Sequence, residues 1–175
     1  PLVTKCVTTS TLLGLSDINC QFIRLKLDQS KGENINTSFM SGYWNPGHTG
    51  AMMLYGLFVS GPSQHMWLTR VVHNVIKERT WKATIKKVAL DFSVGSLVMM
   101  PMFFLGINLI EGKSLEDATG KLQQEWPGVF KLSVRIWPAF QMLNFMFVPI
   151  PYQQLAINCT AFFWNSFLSY VQHYG

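Results

Sequence analysis

Apolar residues gather into five runs, at 2–23, 49–69, 92–110, 134–148 and 152–170, divided by polar or proline-bearing stretches. A helix crosses a bilayer with about 20 mostly apolar residues. The runs at 49–69 and 92–110 hold no Lys, Arg, Asp or Glu, and neither does any position from 136 to 175. The first run is interrupted by Lys5 and Asp17. The fourth is short for a span and is parted from the fifth only by Val148-Pro149-Ile150-Pro151. It reads as a fourth span or as a half-buried helix leading into the last one. The pattern predicts an all-α fold: a polytopic transmembrane helix bundle with four spans and a possible fifth apolar segment, one membrane-embedded domain over residues 1–175. A large soluble helical core is the competing reading, and the long uncharged runs argue against it.

Within these runs the polar residues follow helical spacing. Ser10, Gly14, Asp17 and Gln21 recur at four, three and four residues and so share one face. Gly56, Ser60 and Gln64 do the same in the second run, Trp137, Gln141, Asn144 and Val148 in the fourth, and Gln154, Asn158, Ala161 and Asn165 in the last. A neutral amide in hydrocarbon needs a partner, so these are interior faces. Two uses compete for them: close helix packing with amide bonds across it, or a polar path for solutes. Asp17 and Asp91 favour the path, because an ionisable residue in or beside a span is expensive. His65, one turn beyond the Gly61-Pro62 break, is either a packing histidine or a pore-lining one.

Between the runs, residues 24–46 and 70–87 are expected as exposed loops, and 114–125 as a short amphipathic helix at the membrane surface. That helix opens with Ser114 followed by Asp117, a variant capping box. Composition supports a membrane setting: 49% of residues are hydrophobic and only 13% charged, against about 25% charged in soluble domains. The net charge of +5 concentrates in Arg70, Lys77, Arg79, Lys82, Lys86 and Lys87, the clustering that orients membrane proteins. Aromatic residues at Tyr43-Trp44, Trp67, Trp81, Trp126, Trp137, Tyr152 and Tyr170 suggest an interfacial belt. Cys6, Cys20 and Cys159 form no paired framework and no metal spacing, so they read as small buried hydrophobes. No catalytic or phosphate-binding motif is present, nor one for nucleic acid. The expectation is therefore a non-enzyme with no cofactor, no metal and no direct nucleic-acid binding.

The tail is the most specific stretch. Trp137-Pro138-x-x-Gln141-x-x-Asn144-Phe145-x-x-Val148-Pro149, followed by Trp164-Asn165-Ser166-Phe167-Leu168-Ser169, resembles the signature of the Mpv-seventeen and peroxisomal-membrane-protein-22 family. Gly14-Leu15-Ser16-Asp17, Gly61-Pro62 with His65 and Trp67, and Leu90-Asp91 resemble its earlier helices. The chain departs from that pattern at Phe92, where Gln is usual, at Gln153, where a basic residue is common, and at Phe167, where Tyr is usual.

The resemblance implies a small bundle in the mitochondrial inner membrane or, alternatively, the peroxisomal membrane. It implies passage of small metabolites or ions, in support of mitochondrial nucleotide supply and DNA maintenance. Asp17, Gln21, His65, Asp91, Gln141, Asn144 and Asn165 are the candidate pore-lining residues. The partners expected are the lipid bilayer, small solutes and a second copy of the chain. An alternative is a membrane-embedded assembly factor, docking a large mitochondrial complex such as the ribosome through the basic 70–87 stretch.

Overall fold

The computed structural model describes residues 2–31, 42–78 and 80–174, without the side chains of Ser96 and 168–174. These residues form five helical rods: α1 (Leu2–Ser30), α2 (46–75), α3 (Trp81–Ile110), α4 (Leu115–Phe147) and α5 (Ile150–Tyr174). Pairings along the rods fix their directions. Gly14 faces Met53, Gly56 faces Ser10 and Gly61 faces Cys6, so α1 and α2 are antiparallel. Trp67 meets Asp91, Tyr55 meets Phe103 and His48 meets Glu111, so α2 and α3 are antiparallel too. Thr9 meets Asn158 and Ser16 meets Asn165, which makes α1 and α5 parallel. The bundle runs up and down, and its first and last rods point the same way.

Local chemistry starts and stops each rod. Asn45 and Pro46 open α2, the Asn45 side chain accepting from the His48 amide. Thr80 opens α3 and Ser114 opens α4 in the same manner, and the Ser114 hydroxyl also donates to the Asp117 carboxylate. Gly112, at φ 77°, makes the tight turn between α3 and α4. Helix α2 widens into π turns at Gly56–Ser60 and Trp67–Val72, and α3 at Gly95–Met99. Two of these turns lie just before Pro62 and Pro101, whose rings remove an amide donor and crowd the preceding turn.

Several boundaries differ from the sequence reading. Residues 24–30 are not loop but the last two turns of α1, because Leu25 continues its buried face. Of 70–87, only 76–80 separates two rods, and its residue 79 lies outside the described residues. Residues 73–75 are helical, and Trp81–Val94 buries Ala83, Thr84, Lys87 and Val88. Residues 32–41 likewise lie outside the description. The 114–125 helix is no separate surface element. It is the first third of α4, which continues through Pro127 and Pro138 into the fourth apolar run. That run is therefore the second half of a long rod rather than a stub before α5.

The core is inverted relative to a soluble bundle. Among the described residues, the most completely enclosed side chains include the polar Gln153, Gln154, Asn144, Thr9, Ser16 and Ser133, beside the apolar Val72, Ala118, Leu68 and Tyr55. Phe58, Leu97, Phe147 and Phe163 instead face outward, each more than half exposed. Water would reward the reverse arrangement, and a bilayer rewards this one. By length and composition alone, α3 is the one rod among the described residues that is apolar enough to cross a membrane.

Candidate functional site

The polar faces predicted from spacing meet inside the bundle in three groups. The first is built on α1. Asp17 Oδ2 accepts from Gln21 Nε2 and Thr49 Oγ1, each at 2.6 Å, while Oδ1 pairs with His48 Nδ1 at 2.7 Å. The far side of the imidazole, Nε2, reaches Glu111 Oε1 at 3.6 Å, and Lys113 Nζ holds the same carboxylate at 2.6 Å. Gln21 also accepts from the Asn45 amide at 2.7 Å. A row of side chains, Asp17–His48–Glu111–Lys113, thus ties the middle of α1 to the start of α2 and the end of α3.

The second group surrounds Asp91. Trp67 Nε1 donates to Asp91 Oδ1 at 2.7 Å, and the Gln141 amide donates to Oδ2. Asn144 Nδ2 then donates to Gln141 Oε1 at 2.9 Å. The third group lies between α1 and α5, where Asn158 and Gln154 both donate to Thr9 Oγ1 and Gln154 also donates to the Gly61 carbonyl. There the amides act as glue.

Two cavities touch these groups. A larger one of about 260 Å³ is lined by Asp91, Gln141, Gln64, Trp67, Trp137 and Trp164 among others. A smaller one of about 150 Å³ is lined by Asp17, His48, Arg24, Glu111, Lys121 and Glu125 among others. Phe103, Phe104, Val129 and Asn165 belong to the walls of both. The two chambers therefore share a wall of two rings, a valine and an amide, which is where a neck between them would lie.

Of the seven candidates, Asp17, Asp91, Gln141 and Asn165 line a cavity. Gln21 and Asn144 stand behind them as hydrogen-bond partners of Asp17 and Gln141. His65 lines neither chamber; its Nδ1 lies 3.3 Å from Lys5 Nζ, apart from both carboxylates. It was His48, in a polar stretch at a helix start, that joined Asp17. The belt reading also changes, since Trp67 and Trp137 face a cavity, while Trp81 and Tyr152 are exposed at one end of the bundle. Cys6 is buried as expected, but Cys20 lines the smaller cavity and Cys159 is exposed. Lys87 is turned inward, its ammonium donating to the Glu78 carbonyl, whereas Arg70, Lys77, Lys82 and Lys86 are exposed.

In the tail signature, Pro138 lies inside α4, Phe145 packs edge-on against His73, and Pro149 separates α4 from α5. The side chains of Leu168 and Ser169 lie outside the description. At the departures from the family pattern, Phe92 lines the larger cavity, and Gln153 is buried between His73 and the Val148 carbonyl.

Comparison with known proteins gives a consistent result. The model of the Mpv17 / PMP22 family matches residues 108–169. Protein SYM1 of Gibberella zeae is 31% identical over 172 residues, covering 98% of this chain and 90% of the relative. Protein SYM1 of Saccharomyces cerevisiae is 26% identical, covering 97% and 83%. The protein of Caenorhabditis briggsae named mitochondrial inner membrane protein Mpv17 is 26% identical, covering 97% and 85%. No solved structure matches the chain.

Proposed function

This chain belongs to the Mpv17 / PMP22 family and to the mitochondrial inner membrane, and on that premise we propose that its bundle is a conduit for small metabolites or ions. The observation that carries the reading is the pair of adjoining chambers with an acid in each, Asp17 in one and Asp91 in the other. Packing glue needs no such space, and the Thr9–Gln154–Asn158 group shows how the same residue types close it. In a bilayer the exposed apolar side chains would face lipid, and Asp17, Asp91, Gln141 and Asn165 would face the path. Solutes would pass the neck at Phe103, Phe104, Val129 and Asn165, where width and ring polarity set what crosses. The chemistry is passage rather than catalysis.

Phe104 tests the reading because it is a wall of the neck without a polar partner to lose. Purified protein in a planar bilayer is expected to give discrete openings. Phe104→Ala should raise the unitary conductance, and Phe104→Trp should lower it. A silent bilayer with folded protein, or openings indifferent to both changes, would reject the conduit.

A further inference from the structure

The larger cavity has a one-sided chemistry. Among the described residues that line it, Asp91 is the one acid, and no Lys, Arg or His joins it. Trp67 meets the carboxylate, and Phe92, Trp137, Trp164, Phe103 and Tyr55 also line the cavity. Two pairs of these rings are packed edge to face, Tyr55 with Phe103 at 5.4 Å and Trp137 with Trp164 at 6.2 Å, which holds the wall in shape.

Acceptors stand out among its polar groups. Trp67 Nε1 is engaged with Asp91, and the Gln141, Gln64 and Asn165 amides each commit one N–H, to Asp91, Ser60 and Ser16. Gln64 Oε1, in contrast, is buried without any partner, and each Asp91 oxygen has further lone pairs. The space therefore offers a carboxylate and an unpaired acceptor in a lining rich in aromatic rings. Ring faces attract cations, most of all those that shed water readily. A carboxylate in apolar surroundings is also weakly screened, so its pull on such a guest is strong.

We infer that the cavity around Asp91 is a binding site for an organic ammonium ion, with Asp91 as counter-ion and Trp67, Trp137 and Trp164 as its aromatic walls. Anionic solutes are disfavoured there. The inference deepens the conduit reading by naming the class of solute this chamber holds, and it rests on that reading only for what the binding serves.

Equilibrium binding of radiolabelled choline to the full chain in non-ionic micelles tests it without any measurement of flux. Saturable binding is expected, and 3,3-dimethylbutan-1-ol, the uncharged analogue of the same shape, should displace choline about tenfold less well than unlabelled choline does. Asp91→Asn, which keeps one acceptor oxygen where the carboxylate had two, should weaken binding about tenfold, with helical content unchanged by circular dichroism. Trp137→Leu, which leaves the carboxylate in place, should weaken it less. Absence of saturable binding to the wild-type protein, or equal displacement by the neutral analogue, would overturn the assignment with no variant needed. Displacement by soluble dihexanoyl-phosphatidylcholine but not dihexanoyl-phosphatidylglycerol would extend the site to lipid headgroups, and no displacement by either would restrict it to free cations. Both results keep the ammonium chemistry. Conductance without choline binding defeats this inference alone, and binding in a silent bilayer defeats the conduit alone.

Discussion

Asp17 is 5% exposed and has its carboxylate met by an amide, a hydroxyl and an imidazole. Removing one partner of such a buried cluster leaves the others desolvated and unpaired, a loss of about 3–5 kcal/mol. Asp17→Ala should therefore lower stability by that order in denaturant titrations of the micelle-bound protein. His48→Gln keeps a donor for Asp17 but gives up the reach to Glu111, so a loss of about 1 kcal/mol is expected. Equal losses from the two changes would show that the Asp17–His48–Glu111 row is not what holds α1, α2 and α3 together here. Half of this cluster was legible in the sequence. Asp17 and Gln21 are one helical turn apart, and spacing alone puts them on a shared face. His48 was not legible, because its contact with Asp17 spans 31 positions and no local period reports it. His65 drew attention instead because it follows a proline break in an apolar run, a position that speaks of backbone geometry rather than of partners.

At the scale of the helix, close approach is set by glycine. A Cβ added at Gly61 would lie 2.8 Å from Cys6 Cα, and one at Gly56 would lie 2.7 Å from Ser10 Cα, so each would collide with the backbone of α1. Gly50 belongs to the same rod and meets nothing within 4 Å. Gly61→Ala should destabilise by about 1–3 kcal/mol through overpacking. Gly50→Ala should stabilise by up to about 1 kcal/mol, since alanine is the better helix former. Thermal unfolding of the two variants side by side checks the packing, and a Gly61→Ala protein as stable as wild type would contradict the α1–α2 contact. The five apolar runs each fall on a rod of their own, because burial of apolar or amide faces imposes a period on the sequence, although the fourth read equally as a half-buried helix leading into the last. Their ends were harder to read. Arg24 to Ser30 is charged, yet its residues are adequate helix formers and Leu25 still has a face to bury. Pro127 is exposed, as is Gln123, the residue whose carbonyl its ring deprives of a donor, so α4 passes through it at modest cost.

For the molecule as a whole, the odd number of rods decides sidedness. Because α1 and α5 are parallel and the rods between them alternate, the start of α1, the end of α2, the starts of α3 and α5 and the end of α4 share one end of the bundle. The end of α1, the start of α2, the end of α3 and the start of α4 share the other. Composition alone left four and five spans open, since the polar stripes that line the interior also lower the apolarity of α1, α4 and α5. The inversion of polarity, with Gln153 and Gln154 enclosed and Phe147 and Phe163 outside, removes that objection: a rod need only be apolar on the face that meets lipid. If all five rods cross the inner membrane, single cysteines at Val3, Val75 and Trp81 should react with an impermeant thiol reagent from one face of the membrane. Cysteines at Gly47 and Leu115 should react from the other. All five native residues are exposed, so labelling reads sidedness rather than burial. The assay requires a background in which Cys6, Cys20 and Cys159 are replaced. Labelling of Val3Cys and Leu115Cys from the same face would mean that one rod lies along the membrane instead of through it. The neck at Phe104 would then no longer sit on a path between two compartments, and the conduit would fail on topology before any current was measured.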